Sequence, residues 1–325
     1  MKQPTLISVV APFHNEGAGV DAFVTRAAAA LNGIGAPWEL IAVDDGSSDD
    51  TRARLRALCQ AHPELRVVAL SRNFGKDTAL TAGLDRARGE VVIPMDGDLQ
   101  DPPELIPALL ERWREGCDVV YAVRTKRRGE PWLKRVTAFA FYRLLRALTR
   151  IDIPSDAGDF RLLSRRAADA LLALRERNRF MKGLFAWIGF RQAGVPYARE
   201  PRATGRTTWS YWRLWNFAIE GITSFSHVPL KLASYLGFVV ALSSFVYAAY
   251  RVVDTLLFGN AVKGYPSLVV IVLFLGGVQL MSLGVIGEYV ARIADEVKGR
   301  PLYVVDEEFR RHADERAPSG PEGAA

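Results

Sequence analysis

The sequence predicts an α/β fold with a mostly parallel sheet, followed by interfacial amphipathic helices and a two-helix transmembrane hairpin. Three observations carry that expectation: four short β-type runs separated by helical stretches of crossover length, a polar cluster at the end of each run, and two charge-free stretches at 232–250 and 264–287. A chain of 325 residues with 49% hydrophobic and 24% charged composition is also outside the disordered, collagen-like and low-complexity classes.

The four runs are Leu6–Ala11, Glu39–Val43, Val67–Leu70 and Val91–Met95. They end in Pro12-Phe13-His14-Asn15-Glu16, Asp44-Asp45-Gly46-Ser47, Ser71-Arg72-Asn73 and Asp96-Gly97-Asp98. In open α/β sheets the carboxyl ends of the strands line the ligand crevice, so these four clusters are expected to converge on one site.

The stretch from Pro131 to Arg150 places Trp132, Val136, Phe139 and Leu145 near helical spacing, with Lys134, Arg135, Arg143 and Arg146 at other positions. It is either a core-packed helix with a solvated basic face or a helix lying in a membrane interface. Trp209 to Val228 crowds Trp209, Tyr211, Trp212, Trp215 and Phe217 just before the first apolar run, as an interfacial aromatic belt does. The two charge-free runs would extend about 28 and 36 Å as helices, against a hydrocarbon core of about 30 Å. Neither has a polar face, which argues against two buried core helices. The short loop Arg251–Lys263 makes them a hairpin that returns the tail to the side of the large domain.

No charged and apolar leader with a small-residue cleavage site stands in the first 30 residues, so the large domain is expected to stay cytoplasmic. The boundaries that follow are 1–208 for a cytoplasmic catalytic domain, 209–230 for a juxtamembrane amphipathic helix, and 231–290 for two membrane helices (about 232–252 and 264–287). Residues 291–325 are left as a cytoplasmic tail. The formal charge of +6 is uneven: residues 124–150 hold nine Lys and Arg against Glu130 alone. Cys59 and Cys117 are too few and too isolated for a disulfide framework or a metal site, and both are expected in the core.

Asp96 and Asp98 follow the fourth run directly, and alternate residues of an extended chain face the same way. Such a pair suits a hard divalent cation that also neutralises phosphates, and Gln100 continues the alternation as a neutral oxygen ligand. A lone Asp-x-Asp is also a common surface triplet; its place at a strand end favours the metal reading. In Asp44–Thr51, helix capping accounts for Ser47, Ser48 and Asp49, leaving Asp44 and Asp45 to accept hydrogen bonds from a ribose or a base N–H. There is no Walker A sequence and no G-x-G-x-x-G after the first strand, so a nucleotide would be held in another way.

Taken with Phe74-Gly75-Lys76 and Leu99-Gln100-Asp101-Pro102-Pro103, the four polar clusters resemble the successive motifs of the GT-A inverting glycosyltransferases of family 2. More narrowly, the chain resembles the polyprenyl-phosphate glycosyltransferases, including bactoprenol glucosyltransferases, dolichol-phosphate mannose synthases and undecaprenyl-phosphate aminoarabinose-type transferases. The likeness runs over about residues 5–300. It implies that Pro12, His14, Glu16 and Asp45 hold the nucleotide, that Arg202 lies near its diphosphate, and that Asp96, Asp98 and Gln100 bind Mg²⁺ or Mn²⁺. It further implies that Arg124, Lys134 and Arg135 receive the lipid phosphate and that Asp159, counted with Asp96 and Asp98 as catalytic, lies where sugar and acceptor approach. One departure stands out: the family often has Gly-Glu-Ser/Thr-Lys-Tyr where this chain has Gly205-Arg206-Thr207-Thr208-Trp209, so Arg206 is the nearest substitute for the missing lysine.

The expected activity is therefore transfer of one sugar from a UDP- or GDP-sugar to a polyprenyl phosphate at the cytoplasmic face of the inner membrane, in one metal-assisted displacement with inversion. A phosphate monoester with a second pKa near 6 is already an anionic nucleophile at neutral pH, and needs positioning by cations more than deprotonation. The same basic stretch also suits attraction to anionic headgroups. The partners are the nucleotide sugar, the lipid phosphate and the bilayer, with no nucleic acid; homo-oligomerisation is left open. A processive polysaccharide synthase would need further spans and a Gln-x-x-Arg-Trp motif, which is absent. A non-catalytic membrane scaffold would be expected to have lost the acids at 96 and 98.

Overall fold

The computed structural model describes residues 3–124, 157–177, 179–197, 228–258 and 264–311. Their described parts fall into two compact units, one comprising residues up to 197 together with 301–311, the other comprising 228–258 and 264–300.

Aliphatic runs build the centre of the first unit. Strands β1 (Ile7–Phe13), β2 (Trp38–Asp44), β3 (Leu65–Leu70) and β4 (Val91–Pro94) are parallel neighbours in the spatial order β3-β2-β1-β4. Ile7, Val9, Val10, Ala11 and Phe13 of β1 are all buried, as a parallel strand covered on both faces requires. Helix α1 (Gly17–Asn32) turns Val20, Phe23, Val24, Ala27 and Leu31 inward at helical spacing, and Phe23 meets Phe13 edge-on with ring centroids 5.2 Å apart. Burying a side chain such as Phe13 contributes about 1.5–3 kcal/mol. Helix α2 (Thr51–Ala61) buries Leu55 and Cys59, and α3 (Lys76–Leu84) is buried throughout its second half. Cys59 and Cys117 are free and buried, as expected.

The sheet is larger and more mixed than the four runs announce. After the 3₁₀ turn Pro103–Leu105 and helix α4 (Ile106–Arg114) come β5 (Val119–Arg124), β6 (Ala157–Ser164), helices α5 (Arg165–Ala173) and α6 (Met181–Trp187), and β7 (Gln192–Tyr197). β6 runs antiparallel between β4 and β5, and the full order is β7-β5-β6-β4-β1-β2-β3-β8.

The last strand, β8 (Val305–Arg310), lies in what the sequence leaves as a tail. It adds antiparallel to β3 and closes that edge, with Arg66 on Glu308 at 2.8 Å, Arg86 on Glu308 at 2.5 Å and Arg52 on Asp306 at 2.7 Å. Val305 and Phe309 are half-buried on one face, while Asp306 and Glu308 on the other face carry the ion pairs.

The second unit holds two long helices that pack against each other, α7 (Val228–Phe258) and α8 (Tyr265–Val297). They contain both charge-free runs, and α8 continues ten residues past the expected end at 287. Phe238, Phe245, Leu256, Phe274 and Leu280 are exposed on them. Phe274–Val297, at mean hydropathy 1.4, is long and apolar enough to cross a membrane, and Ala233–Tyr247 is a shorter apolar stretch. The amphipathic segments expected at 131–150 and 209–228 lie outside the described residues.

Candidate active site

The chain passes from β1 to β2 and β3 on one side and returns to β4 on the other, which makes the carboxyl ends of β1 and β4 the topological switch point. A cleft of about 260 Å³ opens there, lined by Pro12, His14, Glu16, Asp45, Lys76, Asp96 and Asp98. Six residues that the sequence assigned to donor and metal are thus brought together.

The loop after β1 is tied to the loop after β2. Asn15 has φ +54°, a left-handed conformation that Asn tolerates, and its Oδ1 accepts from Ser48 N at 2.8 Å while its N–H donates to Ser47 Oγ at 3.0 Å. His14 Nδ1 lies 2.9 Å from the carbonyl oxygen of Asp45, an acceptor that places the ring proton on Nδ1. Gly46, at φ +61°, passes so close to Arg72 that a Cβ would stand 2.3 Å from its carbonyl carbon.

Asp44 and Asp45 are engaged differently from the sequence expectation. Asp44 is fully buried and accepts from Arg52 Nε at 2.9 Å and from Ser47 N at 3.1 Å. Asp45 accepts from the backbone N–H groups of Phe74 at 2.7 Å and Gly75 at 3.0 Å. Burial raises its pKa, and those two amides offset part of the rise. Asp45 lines the cleft; Asp44 is structural.

Asp96 and Asp98 flank Gly97, where a Cβ would stand 2.4 Å from the Phe13 ring, so only glycine lets this loop close onto the end of β1. The expected alternation stops at Asp98. Leu99 takes φ +57°, and Gln100 N–H donates to Asp98 Oδ1 at 3.1 Å in an Asx-type turn, so Gln100 is not carried forward on an extended chain.

Among the described residues no three His, Cys, Asp or Glu converge into a metal cage. Two carboxylates at the mouth of a cleft still fit Mg²⁺ or Mn²⁺, which keep several positions for water and substrate phosphate oxygens. Asp96 Oδ1 in particular is buried without an aligned hydrogen-bond donor, and its near neighbour is the ammonium of Lys76, 2.7 Å away as an ion pair.

Asp159 reaches the same point from β6. β6 runs antiparallel beside β4, with Val91 paired to Ser164 and Val92 to Leu163, and Lys76 bridges Asp159 to Asp96. Lys76 Nζ lies 2.5 Å from Asp159 Oδ2. Burial opposes the charge on Asp159, but Lys76, Lys182 and Arg161 outweigh it and hold the carboxyl well below its ordinary range. Arg161 does not hydrogen-bond that carboxylate; it donates to Gly158 O at 2.6 Å and stacks on Phe185 with its guanidinium carbon 3.6 Å from the ring centroid. At the end of β5, Arg124 Nε donates to Tyr197 Oη at 3.3 Å while that hydroxyl donates to Asp101. Burial and Asp101 push the Tyr197 phenol up to about 12.

Lys134, Arg135, Arg202 and the 205–209 loop lie outside the described residues. Lys76, Lys182, Tyr197 and Asp101 are site residues that the sequence reading did not assign. Lys76 and Asp101 sit within the quoted strand-end motifs, but those motifs do not show which residues they pair with.

Residues 8–172 match glycosyl transferase family 2, and residues 228–293 match the GtrB C-terminal hairpin. An uncharacterized glycosyltransferase of Synechocystis sp. is 51% identical over 301 residues, 93% of this chain and 95% of that one. The SfII prophage-derived bactoprenol glucosyl transferase of Shigella flexneri is 45% identical over 304 residues, 94% of this chain and 98% of that one. Among solved structures, glucosyl-3-phosphoglycerate synthase from Mycobacterium tuberculosis aligns with a TM-score of 0.46 and 25% identity over 67% of this chain and 76% of that one.

Proposed function

We propose, on the premise that this chain belongs to glycosyltransferase family 2 and is a glycosyltransferase of GT-A fold, that it moves one sugar from a UDP- or GDP-sugar to a polyprenyl phosphate at the cytoplasmic face of a membrane. The observation that carries the reading is the meeting of Asp96 and Asp98 from β4 with Pro12, His14, Glu16 and Asp45 in one cleft at the sheet's switch point. The likeness to bactoprenol glucosyl transferases over nearly the whole chain supports the lipid acceptor.

Asp96 and Asp98, with Gln100 beside them, would hold Mg²⁺ or Mn²⁺. Bound there, the ion supplies positive charge to the departing diphosphate. The chain's own residues do the rest. The loops after β1 and β2 fix the nucleotide, with the His14 tautomer set by Asp45. Arg124, and Lys134, Arg135 and Arg202 from beyond the described residues, supply cations for lipid phosphate and diphosphate. Asp159, held ionised by Lys76 and its cationic neighbours, is a poor proton acceptor. An ionised phosphate has no proton that must be removed, so that deficiency costs nothing. Attack on the anomeric carbon opposite the leaving diphosphate inverts the configuration. α7 and α8 form the membrane hairpin that anchors the enzyme.

Purified protein given undecaprenyl phosphate and a panel of UDP- and GDP-sugars should release nucleoside diphosphate with one or a few donors and form a lipid-linked monosaccharide. Release that does not depend on the lipid phosphate would overturn the acceptor. Reporter fusions at Asn260 and after Ala325 should report opposite sides of the membrane, and a shared side would refute the hairpin.

A further inference from the structure

The geometry points to Lys76 as an internal cation that holds the metal-free site together and passes to a substrate phosphate when a divalent ion enters. This rests on the metal reading of Asp96 and Asp98 given above. The Lys76 ammonium sits 2.7 Å from Asp96 Oδ1 and 2.5 Å from Asp159 Oδ2, bridging the end of β4 to β6. The two carboxylates are only 22% and 12% exposed, so without a cation between them they would repel at close range in a poorly solvated setting.

The same position makes Lys76 a competitor. A divalent ion approaches a carboxylate oxygen to about 2.1 Å. An ammonium 2.7 Å from Asp96 Oδ1 would then face that ion as a like charge across a single oxygen. That repulsion disfavours their sharing it, and the monovalent partner is the one on a flexible stem. Lys76 opens α3 directly after Gly75, and its side chain is 45% exposed, which leaves the stem free to swing. The anions that arrive with the metal are phosphates, either the donor's diphosphate or the acceptor's monoester, and a mobile ammonium with three donors binds either.

The experiment uses the purified full chain and Mn²⁺ as the probe, with free Mn²⁺ read by electron paramagnetic resonance. With UDP present, the parent should bind Mn²⁺ and Asp98→Asn should lose it; if the two bind alike, the metal reading itself fails and this inference fails with it. Without UDP, Lys76→Met should bind Mn²⁺ about tenfold more tightly than the parent, because the competing charge is gone, while Lys76→Arg should stay near the parent. Should Lys76→Met fail to fold, Lys76→Gln serves the same comparison. Equal or weaker binding in the neutral variants, with the Asp98 result intact, overturns only the competition. The second arm is steady-state kinetics: a raised KM for the nucleotide sugar assigns Lys76 to the diphosphate, and a raised KM for undecaprenyl phosphate assigns it to the acceptor. Both KM values unchanged would overturn the transfer to phosphate.

Discussion

Two acidic strand ends flank β1 in this molecule, Asp44-Asp45 after β2 and Asp96-Gly97-Asp98 after β4, and they do different work. The first is occupied by its own protein: Arg52 and Ser47 take Asp44, and two backbone amides take Asp45. The second faces the cleft: Asp98 Oδ1 accepts from Gln100 N–H at 3.1 Å, while Asp96 Oδ1 has no aligned donor, only the ammonium of Lys76 on its flexible stem. Carboxylates whose oxygens are satisfied by fixed donors set the shape of a site, and carboxylates left to a mobile cation remain available to a ligand.

Because Asp98 lines the cleft beside Asp96, the largest effect is expected for Asp98→Asn. It should leave folding unchanged and lower turnover by about 10²-fold or more, as EDTA should in the parent, because it weakens charge stabilisation of the leaving group. Retained turnover in metal-free buffer would place both acidic ends in the same structural class.

Asp44→Asn should show the opposite pattern. It breaks an ion pair whose acid is fully buried and whose arginine is 31% exposed, and should cost about 2 kcal/mol of stability with little loss of turnover per folded molecule. Because Arg52 also holds Asp306 of β8, Asp306→Asn should cost less, Asp306 itself being half-exposed and screened where Asp44 is buried. Denaturant titrations of the two variants test the order.

The sequence showed the parallel half of the sheet because β1 to β4 are apolar on both faces and each ends in a polar cluster. It did not show β6, whose Asp159 and Arg161 interrupt the apolar pattern, nor β8, whose acids read as a solvated tail. The same limit hid Lys76. Its proximity to Asp159, 83 positions away in the chain, exists only because β6 inserts antiparallel beside β4, and local spacing holds no record of that pairing. Asp44 was overassigned for a related reason, since nothing near it in the sequence indicates that Arg52, the second residue of α2, turns back onto it.

Asp159 stands between the two classes, being largely buried yet paired to Lys76, which lines the cleft. Asp159→Asn should raise substrate KM values about tenfold and keep the acid limb of the pH–rate profile, because that limb reports ionisation of the lipid phosphate near pH 6. Disappearance of the limb in a stably folded variant would make Asp159 the general base.

The smallest effect belongs to Asp77, which neighbours Lys76 in the chain but turns away from the cleft, accepting from Met181 N at 3.3 Å. Burial, reinforced by the negative charge of Asp159, pushes its pKa from 3.8 up to about 6. A carboxyl raised in this way favours the folded state when protonated, so its contribution is fully present below its unfolded value and is lost as pH rises through about 6. Asp77→Asn is neutral throughout and keeps an oxygen for Met181 N. The variant should therefore melt about 2–4 °C above the parent at pH 8, by roughly half as much at pH 5, and near the parent below about pH 4. Taking the difference between the two proteins at each pH removes the titration of every other group. A constant difference across that range would show that Asp77 stays ionised in the fold, and would move it from the structural acids to those available to the site.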